Sequence, residues 1–306
     1  MAGTVTGYLK INKPRGMTSH DVVNRVRRLY GLKKVGHTGT LDPDADGLMI
    51  LCLGGATRCI QFLDTADKTY VAEILFGTAT DTYDVSGEVI RREACAFSRE
   101  EYSRVLDTFV GDIDQKPPIY SALKKDGLKY YEYARRGIPL EIPSRPVHIY
   151  SLEERDSAGL PERALFEVHC SKGTYIRSLC HDIGLALGTA ACMGNLTRTT
   201  CGRERLSEAV TLEELEAMDL QQRCLCLHPI DEALEDLTKV TSNERGDRFI
   251  ANGNVLYQWN ADEDFDRFSD GQRMRIYDSK GHFIGVGQFI RDLTDDPYVK
   301  PLKILT

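Results

Sequence analysis

The segment between residues 36 and 47 has a composition that is typical of a loop carrying chemistry. Three glycines, one proline and three aspartates lie there between two apolar runs, and neither a helix nor a strand accommodates that mixture. Pro43 directly follows Asp42 and biases this aspartate away from helical geometry. The glycines would let a planar ligand approach the backbone closely. Because active residues tend to lie on loops that emerge from a scaffold, this loop is the first candidate site.

Several interpretations of this loop compete. Asp42, Asp44 and Asp46 alternate as in the start of a calcium loop, but the rest of that pattern, including a Glu at the twelfth position, is missing. A phosphate-binding loop would need Gly-Lys-Ser/Thr before a helix, which this segment lacks. A single nucleophilic or basic carboxylate and an ordinary acidic turn are both compatible with the residues.

Two other segments place polar side chains at the beginning of predicted elements. Residues 171–177 join a strand to a helix, and Arg177 falls in the first turn, where the helix dipole disfavours a cation. A specific carboxylate partner would compensate for that position, and an exposed surface arginine is the alternative. Tyr70 opens a predicted strand, where it could fill the core or serve as a platform for a base.

The elements that must position these segments can be predicted from apolar periodicity and capping residues. Predicted strands cover residues 8–11, 48–53, 69–76 and 164–170, and a hairpin is predicted from residues 274–277 and 282–290. Predicted helices cover residues 19–30, 99–109, 128–136, 174–187 and 206–219. Ser19 is the predicted N-cap of the first helix, and Gly31 suits the position after its end.

The order of these elements indicates the fold class. Strands and helices interleave without the regular spacing of βαβ units, which favours an α+β catalytic domain with a mixed, largely antiparallel sheet at residues 1–237. The pattern changes after a connector that begins at His228. We therefore expect a small, β-rich second domain at residues 238–306.

The charge distribution bears on the kind of partner. The net charge of −7 argues at first sight against nucleic acid, but residues 1–41 carry a net charge of +7 and residues 116–147 a net charge of +4. Most of the acidity lies in residues 207–270, with 16 acidic against 5 basic side chains. The two basic blocks could bind phosphate or could be solvated faces.

Composition excludes several classes of protein. The 306 residues are 42% hydrophobic and 28% charged, which is ordinary for a globular protein and unlike collagen-like or disordered chains. Nine cysteines occur without a Cys-x-x-Cys pair, which favours buried thiols over a zinc site. No apolar run approaches about 18 residues, and the N-terminus lacks a signal-peptide core, so we expect no membrane association and a cytoplasmic location.

Five segments, taken together and in order, resemble the TruB family of tRNA pseudouridine synthases over about residues 5–235. These are Lys13-Pro14-x-Gly16-Met17-Thr18-Ser19, the loop at 36–47, Asp67-Lys68-x-Tyr70, Pro118-x-Tyr120-Ser121-Ala122-Leu123-Lys124 and Ser171–Arg177, with Tyr131-x-Tyr133-Ala134-Arg135-x-Gly137 added to the fourth. The C-terminal hairpin resembles the PUA-like RNA-binding domain of bacterial members. The lack of basic terminal extensions is more similar to bacterial than to dyskerin-like members.

The resemblance implies that uridine at tRNA position 55, in the T-loop, is isomerised to pseudouridine without a metal or an organic cofactor. Asp42 matches the catalytic aspartate of the family, Tyr70 the residue that packs on the target base, and Arg177 the partner of the aspartate. The target base would have to be flipped out of the folded loop. Attack at uracil C6, attack at C1′ and assistance to elimination at the sugar are all compatible with an aspartate in this position.

Further residues are implied by the same resemblance to bind or support the substrate. Leu196 matches a leucine at the floor of the pocket, and His37 a histidine that enters the T-loop region. Lys13 and Pro14 match a motif that supports the site, and Tyr175 belongs to the segment that ends at Arg177. All five are therefore candidate substrate-binding residues.

Residues 116–147 are expected to be a mobile insertion that grips tRNA, with Lys124 and Arg135 as its RNA contacts. The implied partner is the T-arm of tRNA, and no obligatory protein partner is expected. A non-catalytic module that binds or folds tRNA is the alternative function. A metal-dependent phosphoesterase is a third class of function, but the sequence lacks the His/Asp spacing that its metal site would need.

One departure from the family pattern concerns the loop itself. Family members carry an apolar residue and a small hydroxyl residue where this chain has Asp44 and Asp46. Carboxylates pointing inward there would oppose the ionisation of Asp42. We therefore expect both to face solvent.

Overall fold

The secondary structure is defined for residues 5–63, 67–121, 123–291 and 296–305 of a computed structural model, and Ala122 of the fourth motif lies outside these ranges. The strands are β1 (Gly7–Lys13), β2 (Val35–His37), β3 (Asp46–Leu53), β4 (Lys68–Phe76), β5 (Thr78–Thr80), β6 (Val89–Arg92), β7 (Gly111–Gln115), β8 (Lys124–Lys125), β9 (Leu128–Lys129), β10 (Arg145–Asp156), β11 (Arg163–Cys170), β12 (Ala191–Cys201), β13 (Glu204–Arg205), β14 (Val210–Thr211), β15 (Thr238–Thr241), β16 (Leu256–Tyr257), β17 (Arg273–Tyr277), β18 (Phe283–Ile290) and β19 (Tyr298–Ile304). The helices are α1 (Ser19–Tyr30), α2 (Ile60–Leu63), α3 (Arg99–Thr108), α4 (Tyr130–Arg135), α5 (Ile176–Ala186), α6 (Leu212–Ala217), α7 (Leu220–Leu225) and α8 (Asp247–Ala251).

Ten of the strands form one large sheet. Its main path is β14-β1-β3-β12-β4-β11-β10-β7, with β13 beside β12 and β2 beside β3. Strand β12 pairs parallel with β3 and β1 pairs parallel with β14, whereas the long central pairs are antiparallel. The expected mixed, largely antiparallel α+β fold is confirmed.

The main hydrophobic core lies on one face of this sheet. Successive residues of β4 alternate strictly between buried and half-buried, so one set of side chains faces the core. Apolar side chains of α1, α3, α5 and α6 cover that face. These helices thus form a layer on that face of the sheet.

Helix α1 begins one residue earlier than its predicted cap implies. The N-cap is Thr18, whose hydroxyl accepts from the Asp21 N–H at 3.1 Å while the Asp21 carboxylate accepts from the Thr18 N–H at 3.0 Å. The prediction of Ser19 as N-cap is wrong because Ser19 is buried and bonds to a distant loop. Gly31 ends the helix in the left-handed conformation, at φ 64°, as predicted.

Three predicted helices have different bounds in the structure. The helix predicted at 174–187 is α5, whose N-cap is Tyr175. The helix predicted at 128–136 is shortened to α4, because β9 pairs with β8 in a small hairpin. The helix predicted at 206–219 is shortened to α6, because a 3-10 turn and the short strand β14, which pairs with β1, precede it.

The C-terminal residues form a second sheet with the order β15-β17-β18-β19-β16. Strands β17 and β18 form the predicted hairpin. This sheet has its own apolar cluster, which includes Phe265, Phe268 and Phe289. Val286 instead packs in a cluster with Tyr8 and Ile50 on the opposite face of the large sheet. None of the helices in the described ranges has the length and apolar character that a bilayer span requires.

Candidate active site

Leu41, the residue just before Asp42, fixes the position of the loop through two hydrogen bonds to Ser19. The Ser19 hydroxyl donates to the Leu41 carbonyl at 3.0 Å and accepts from the Leu41 N–H at 2.9 Å. Leu41 and Ala45 are both buried in the main core. Because its neighbours on both sides are anchored, the backbone at Asp42 is held against the sheet.

Lys13 fixes the other side of the loop. Its ammonium is fully buried and donates to the carbonyl oxygens of Pro14 at 2.9 Å, Met17 at 2.7 Å and Pro43 at 3.0 Å. Burial lowers the pKa of Lys13, and the nearby aspartates oppose that shift. All three N–H donors of the ammonium are used within the protein, so this contact supports the position of Pro43 beside Asp42.

Arg198 of β12 lies beneath the loop, and sequence reasoning did not single it out. Its side chain is buried, with Nε donating to the Leu48 carbonyl at 2.7 Å and Nη2 donating to the Gly39 carbonyl at 3.2 Å. Gly47 packs directly on the Arg198 backbone at φ 104°, where an added Cβ would lie 2.4 Å from the Arg198 carbonyl oxygen. A glycine is therefore required where the loop enters β3.

The sequence-predicted partners Asp42 and Arg177 are in contact. Arg177 Nε lies 3.1 Å from Asp42 Oδ2, and the Arg177 side chain is only 9% exposed. The pair lies in a cavity of about 300 Å³. The cavity is lined by Asp42, Pro43, Asp44, Ala45, Thr82, Asp84, Val85, Ser86, Tyr120, Arg135, Arg177, Met193 and Gly194.

Asp84 is a second carboxylate partner of Arg177, which sequence reasoning missed. Arg177 Nη1 lies 3.3 Å from Asp84 Oδ2, and the other Asp84 oxygen accepts from the hydroxyls of Thr82 and Ser86 and from the Ser86 N–H. Hydroxyl residues two positions before and after an aspartate are typical of a turn that fixes a carboxylate. That pattern could have pointed to the residue.

Arg177 also bonds to two backbone carbonyls. Nη1 lies 3.4 Å from the Thr82 carbonyl oxygen, and Nη2 lies 3.2 Å from that of Tyr120. One guanidinium thereby joins the 36–47 loop, the turn around Asp84 and the start of the 116–147 insertion. Its fixed planar donors suit this role better than a lysine would.

The surroundings of Asp42 act on its ionisation in opposite directions. Burial of the carboxyl raises the pKa of Asp42 above its ordinary value, and the negative charge of Asp84 raises it as well. The positive charges of Arg177 and Lys13 lower this pKa, without reversing the shift. The geometry therefore provides a carboxylate next to a cation, in a pocket that is large enough for a pyrimidine base.

Tyr70 and Leu196 lie in the main core, on adjacent strands. Both side chains are buried, and neither belongs to the described residues that line the cavity. Burial raises the pKa of Tyr70 to about 12, and the positive charge of Arg198 opposes that rise. The stacking role of Tyr70 and the floor role of Leu196 remain predictions.

Three further candidates lie outside the described residues that line the cavity. His37 is half-buried at the end of β2, and half-buried Pro14 accepts from Lys13. The Tyr175 backbone exchanges two hydrogen bonds with the Gln115 side chain, at 2.7 and 3.0 Å. Burial raises the pKa of the Tyr175 phenol, and the positive charge of Arg177 opposes that rise.

The insertion at 116–147 brings one of its two predicted RNA contacts to the cavity. Arg135, at the end of α4, lines the cavity, and its guanidinium lies 5.3 Å from the centre of the Tyr131 ring. Lys124 is exposed on the β8–β9 hairpin. The insertion thus presents separate basic groups at the cavity and at the surface.

The two extra carboxylates of the loop differ from each other. Asp44 is exposed, as expected. The expectation that Asp46 faces solvent is wrong, because Asp46 Oδ2 lies 2.7 Å from Arg15 Nε and its other oxygen accepts from the Thr197 hydroxyl. Asp46 is thereby directed to the β3–β12 junction. Among residues 5–63, 67–121, 123–291 and 296–305, no group of three or more His, Cys, Asp or Glu side chains is placed to hold one metal ion.

Two family models match consecutive parts of the chain. The model described as "TruB family pseudouridylate synthase (N terminal domain)" matches residues 27–176. The model described as "tRNA pseudouridylate synthase B C-terminal domain" matches residues 177–235. Asp42, Asp84 and Arg177 all lie within these matches.

Curated relatives are similar over most of the chain. A protein of Alkaliphilus oremlandii named "tRNA pseudouridine synthase B" is 40% identical over 301 residues, which cover 98% of this chain and 99% of that protein. A protein of Geobacillus thermodenitrificans with the same name is 47% identical over 258 residues, covering 82% of this chain and 85% of that protein.

Solved structures with a similar fold come from complexes of several proteins. A chain in "Crystal Structure of a Cbf5-Nop10-Gar1 Complex" is 26% identical with a TM-score of 0.74, over 99% of this chain and 86% of that chain. A chain in "Crystal structure of the archaeal box H/ACA sRNP Nop10-Cbf5 complex" is 25% identical with a TM-score of 0.73, over 99% and 87%.

Proposed function

Because the chain belongs to the TruB family of pseudouridylate synthases, isomerases that make pseudouridine in tRNA, we propose that its substrate is the uridine at tRNA position 55, in the T-loop. The observation that carries this proposal is the 3.1 Å contact between Asp42 Oδ2 and Arg177 Nε inside a cavity. The loop at 36–47, the segment that contains Tyr120 and the segment that ends at Arg177 meet at that pair.

The reaction requires that the uracil base leave the folded RNA loop. A cavity that surrounds a carboxylate can accept a base only in an extrahelical position, and flipping costs about a few kcal/mol. Stacking on an aromatic ring returns about 1–3 kcal/mol per base. Tyr70 is proposed to supply that ring once the base has entered beside Asp42.

The chemistry exchanges one glycosidic bond for another. The N1–C1′ bond breaks, the uracil rotates, a C5–C1′ bond forms, and the C5 proton leaves to solvent while N1 gains a proton. Asp42 acts as a carboxylate at C6, at C1′ or in support of elimination at the sugar. Arg177 holds Asp42 in place and favours its ionised form, which burial opposes.

RNA binding is proposed to use the basic parts of the chain. Residues 1–41 and 116–147 carry net charges of +7 and +4, in contrast to the acidic region at 207–270. Arg135 at the cavity and Lys124 on the hairpin would contact phosphates of the T-arm. Residues 238–306 would add a PUA-like RNA-binding domain. Recognition would then depend on the folded shape of the RNA together with local charge.

The test uses a tRNA transcript that carries tritium at C5 of uridine. The purified protein is expected to release tritium, and Asp42→Asn is expected to abolish the release. Asp107→Asn is the matched control, because Asp107 is an exposed carboxylate on α3 that does not belong to the described lining of the cavity. A transcript with cytidine at position 55 is expected to release no tritium.

Two outcomes would contradict the proposal in different ways. Folded protein that binds tRNA but releases no tritium would identify a tRNA-binding or tRNA-folding module instead. Release that persists with cytidine at position 55 would show that the protein modifies another uridine. The activity of a pseudouridine synthase would then stand, and position 55 as its target would be wrong.

A further inference from the structure

We propose that the stacked side chains of Tyr83 and His181 form a positioning pair that sets Asp84 against Arg177. The two rings lie 4.1 Å apart between centroids, with planes inclined by 10°. Neither ring belongs to the described lining of the cavity, so the pair would act through Asp84 and not on the base. The kinetic part of the test rests on the proposed function.

The backbone at Tyr83 has an unusual conformation. Tyr83 has φ 65°, in the left-handed region that L side chains rarely adopt. Such a conformation persists where the surrounding structure over-determines it, and such sites cluster where geometry matters for function. Here the left-handed residue directly precedes Asp84.

The backbone of this turn is fixed from β12. The Met193 N–H donates to the Tyr83 carbonyl at 2.9 Å, and the Val85 N–H donates to the Met193 carbonyl at 3.0 Å. These bonds hold the residues on either side of Asp84 but do not hold the Tyr83 ring. The Tyr83 ring instead stacks on the imidazole of His181.

The spacing of Arg177 and His181 on α5 explains how one helix contacts the turn around Asp84 at two points. Arg177 and His181 are four residues apart in α5 and therefore share one helix face. Arg177 bonds to the Asp84 carboxylate and the Thr82 carbonyl, while His181 covers the ring of the intervening Tyr83. Three consecutive residues of the turn are thus contacted by two neighbouring side chains.

The imidazole of His181 is suited to stacking. Its Nδ1 atom is buried and makes no hydrogen bond to the described residues. Burial lowers the pKa of His181, which keeps the ring neutral. A neutral ring without a polar partner at Nδ1 serves as a flat surface for Tyr83.

The first experiment measures kcat and KM for tritium release. Tyr83→Ala and His181→Ala are expected to lower kcat about tenfold through displacement of Asp84, with KM changed by less than about twofold. Tyr83→Phe keeps the ring and is expected to retain wild-type kcat. Tyr83→Asn, which tolerates positive φ but lacks the ring, is expected to behave like Tyr83→Ala.

A double-variant comparison separates positioning from general destabilisation. In an Asp84→Asn background, Tyr83→Ala is expected to cause little further loss of kcat, because the group it positions is already gone. A full tenfold loss in that background, or a wild-type kcat for Tyr83→Ala, would overturn the inference. His228→Ala removes another imidazole that packs on a tyrosine, Tyr8, at 5.1 Å and is the control for removal of a ring pair elsewhere.

A spectroscopic readout does not depend on the reaction. The Arg177 Nε–H resonance, assigned by its loss in Arg177→Lys, is expected to shift in Tyr83→Ala and His181→Ala but not in Tyr83→Phe. An unchanged resonance in both alanine variants would overturn the positioning role. If the wild-type protein releases no tritium, the proposed function fails, and this resonance still decides the inference.

Discussion

Arg177 contacts Asp42 at 3.1 Å from a position in the first turn of α5, where the helix dipole alone would disfavour its charge. The cost of this position is offset by two carboxylates, since Asp84 lies 3.3 Å from the same guanidinium. The arrangement couples the ionisation of Asp42 to both neighbours, and their effects have opposite signs.

Replacing Arg177 by Gln is expected to move the acidic limb of the kcat–pH profile to higher pH. The cation lowers the pKa of Asp42, so its removal makes the ionised form harder to reach. Loss of the positioned donors is expected to reduce kcat about a hundredfold. The measurement is tritium release between pH 5 and 9, with circular dichroism at each pH as the control for folding. A limb that stays in place would contradict the coupling.

Replacing Asp84 by Asn is expected to move the same limb to lower pH. The negative charge of Asp84 raises the pKa of Asp42, and an amide of the same shape removes that charge. Asp84→Asn and Arg177→Gln are expected to move the acidic limb in opposite directions, so a comparison of the two variants distinguishes the effects of the two charges. A limb at higher pH for Asp84→Asn would mean that Asp84 acts mainly by holding Arg177.

Replacing Lys13 by Met is expected to destabilise the protein and to lower kcat. The three carbonyl oxygens that accept from the ammonium would lose their donor, and an unpaired buried polar group costs about 1–3 kcal/mol. Pro43 is one of the three, so Asp42 would shift with it. Urea denaturation measures the first effect and tritium release the second. A stable variant with wild-type kcat would exclude the supporting role of Lys13.

Replacing Lys124 or Arg135 by Ala is expected to weaken tRNA binding and to reduce the salt slope by about 1 for each phosphate that the variant no longer neutralises. Both side chains belong to the basic insertion at 116–147. Filter binding at several salt concentrations gives the slope. Arg104→Ala, which removes an exposed arginine on α3, is the matched control. If both variants give the same salt slope as the control, the insertion does not belong to the RNA-binding surface.

Replacing Asp182 by Asn is expected to stabilise the protein above pH 6 and to have little effect below pH 4. Burial raises the pKa of Asp182 from 3.8 to about 6. The folded state therefore binds the proton more tightly than the unfolded state, and this contribution to stability is lost as pH rises between these values. The gain should be about 1 kcal/mol, because the side chain is partly solvated. Thermal unfolding at pH 4 and pH 7.5 checks it, and equal gains at both pH values would contradict the assignment.

The parts of the structure that could be predicted from sequence are those with a local signal. The helix at 19–30 with Gly31 after it, the strand at 69–76 and the hairpin at 274–290 all involve residues close together in the chain. The Asp42–Arg177 contact was predicted from the resemblance to the TruB family, whereas the position of Arg177 in the first helical turn indicated only that a carboxylate partner would compensate for its charge.

The parts that could not be predicted depend on distant pairing. Ser19 is a polar residue at the beginning of a helix, yet its hydroxyl bonds to Leu41, and Thr18 is the N-cap. The helix expected at 206–219 begins only at Leu212, because the residues before it form β14, which pairs with β1. Asp84 acquires its role only when α5 brings Arg177 against it. Local propensity contains no information on any of these contacts.

The position of β12 has a consequence for how the protein folds. This strand lies between β3 and β4, so the chain must leave a central place in the sheet open until residues beyond 190 have arrived. Closing loops of that length makes such pairings slow, because their entropy is lost before the contacts form. Arg198 reaches the loop beneath Asp42 only in that step. Completion of the sheet therefore also completes the cavity beside Asp42, to which β12 contributes Met193 and Gly194.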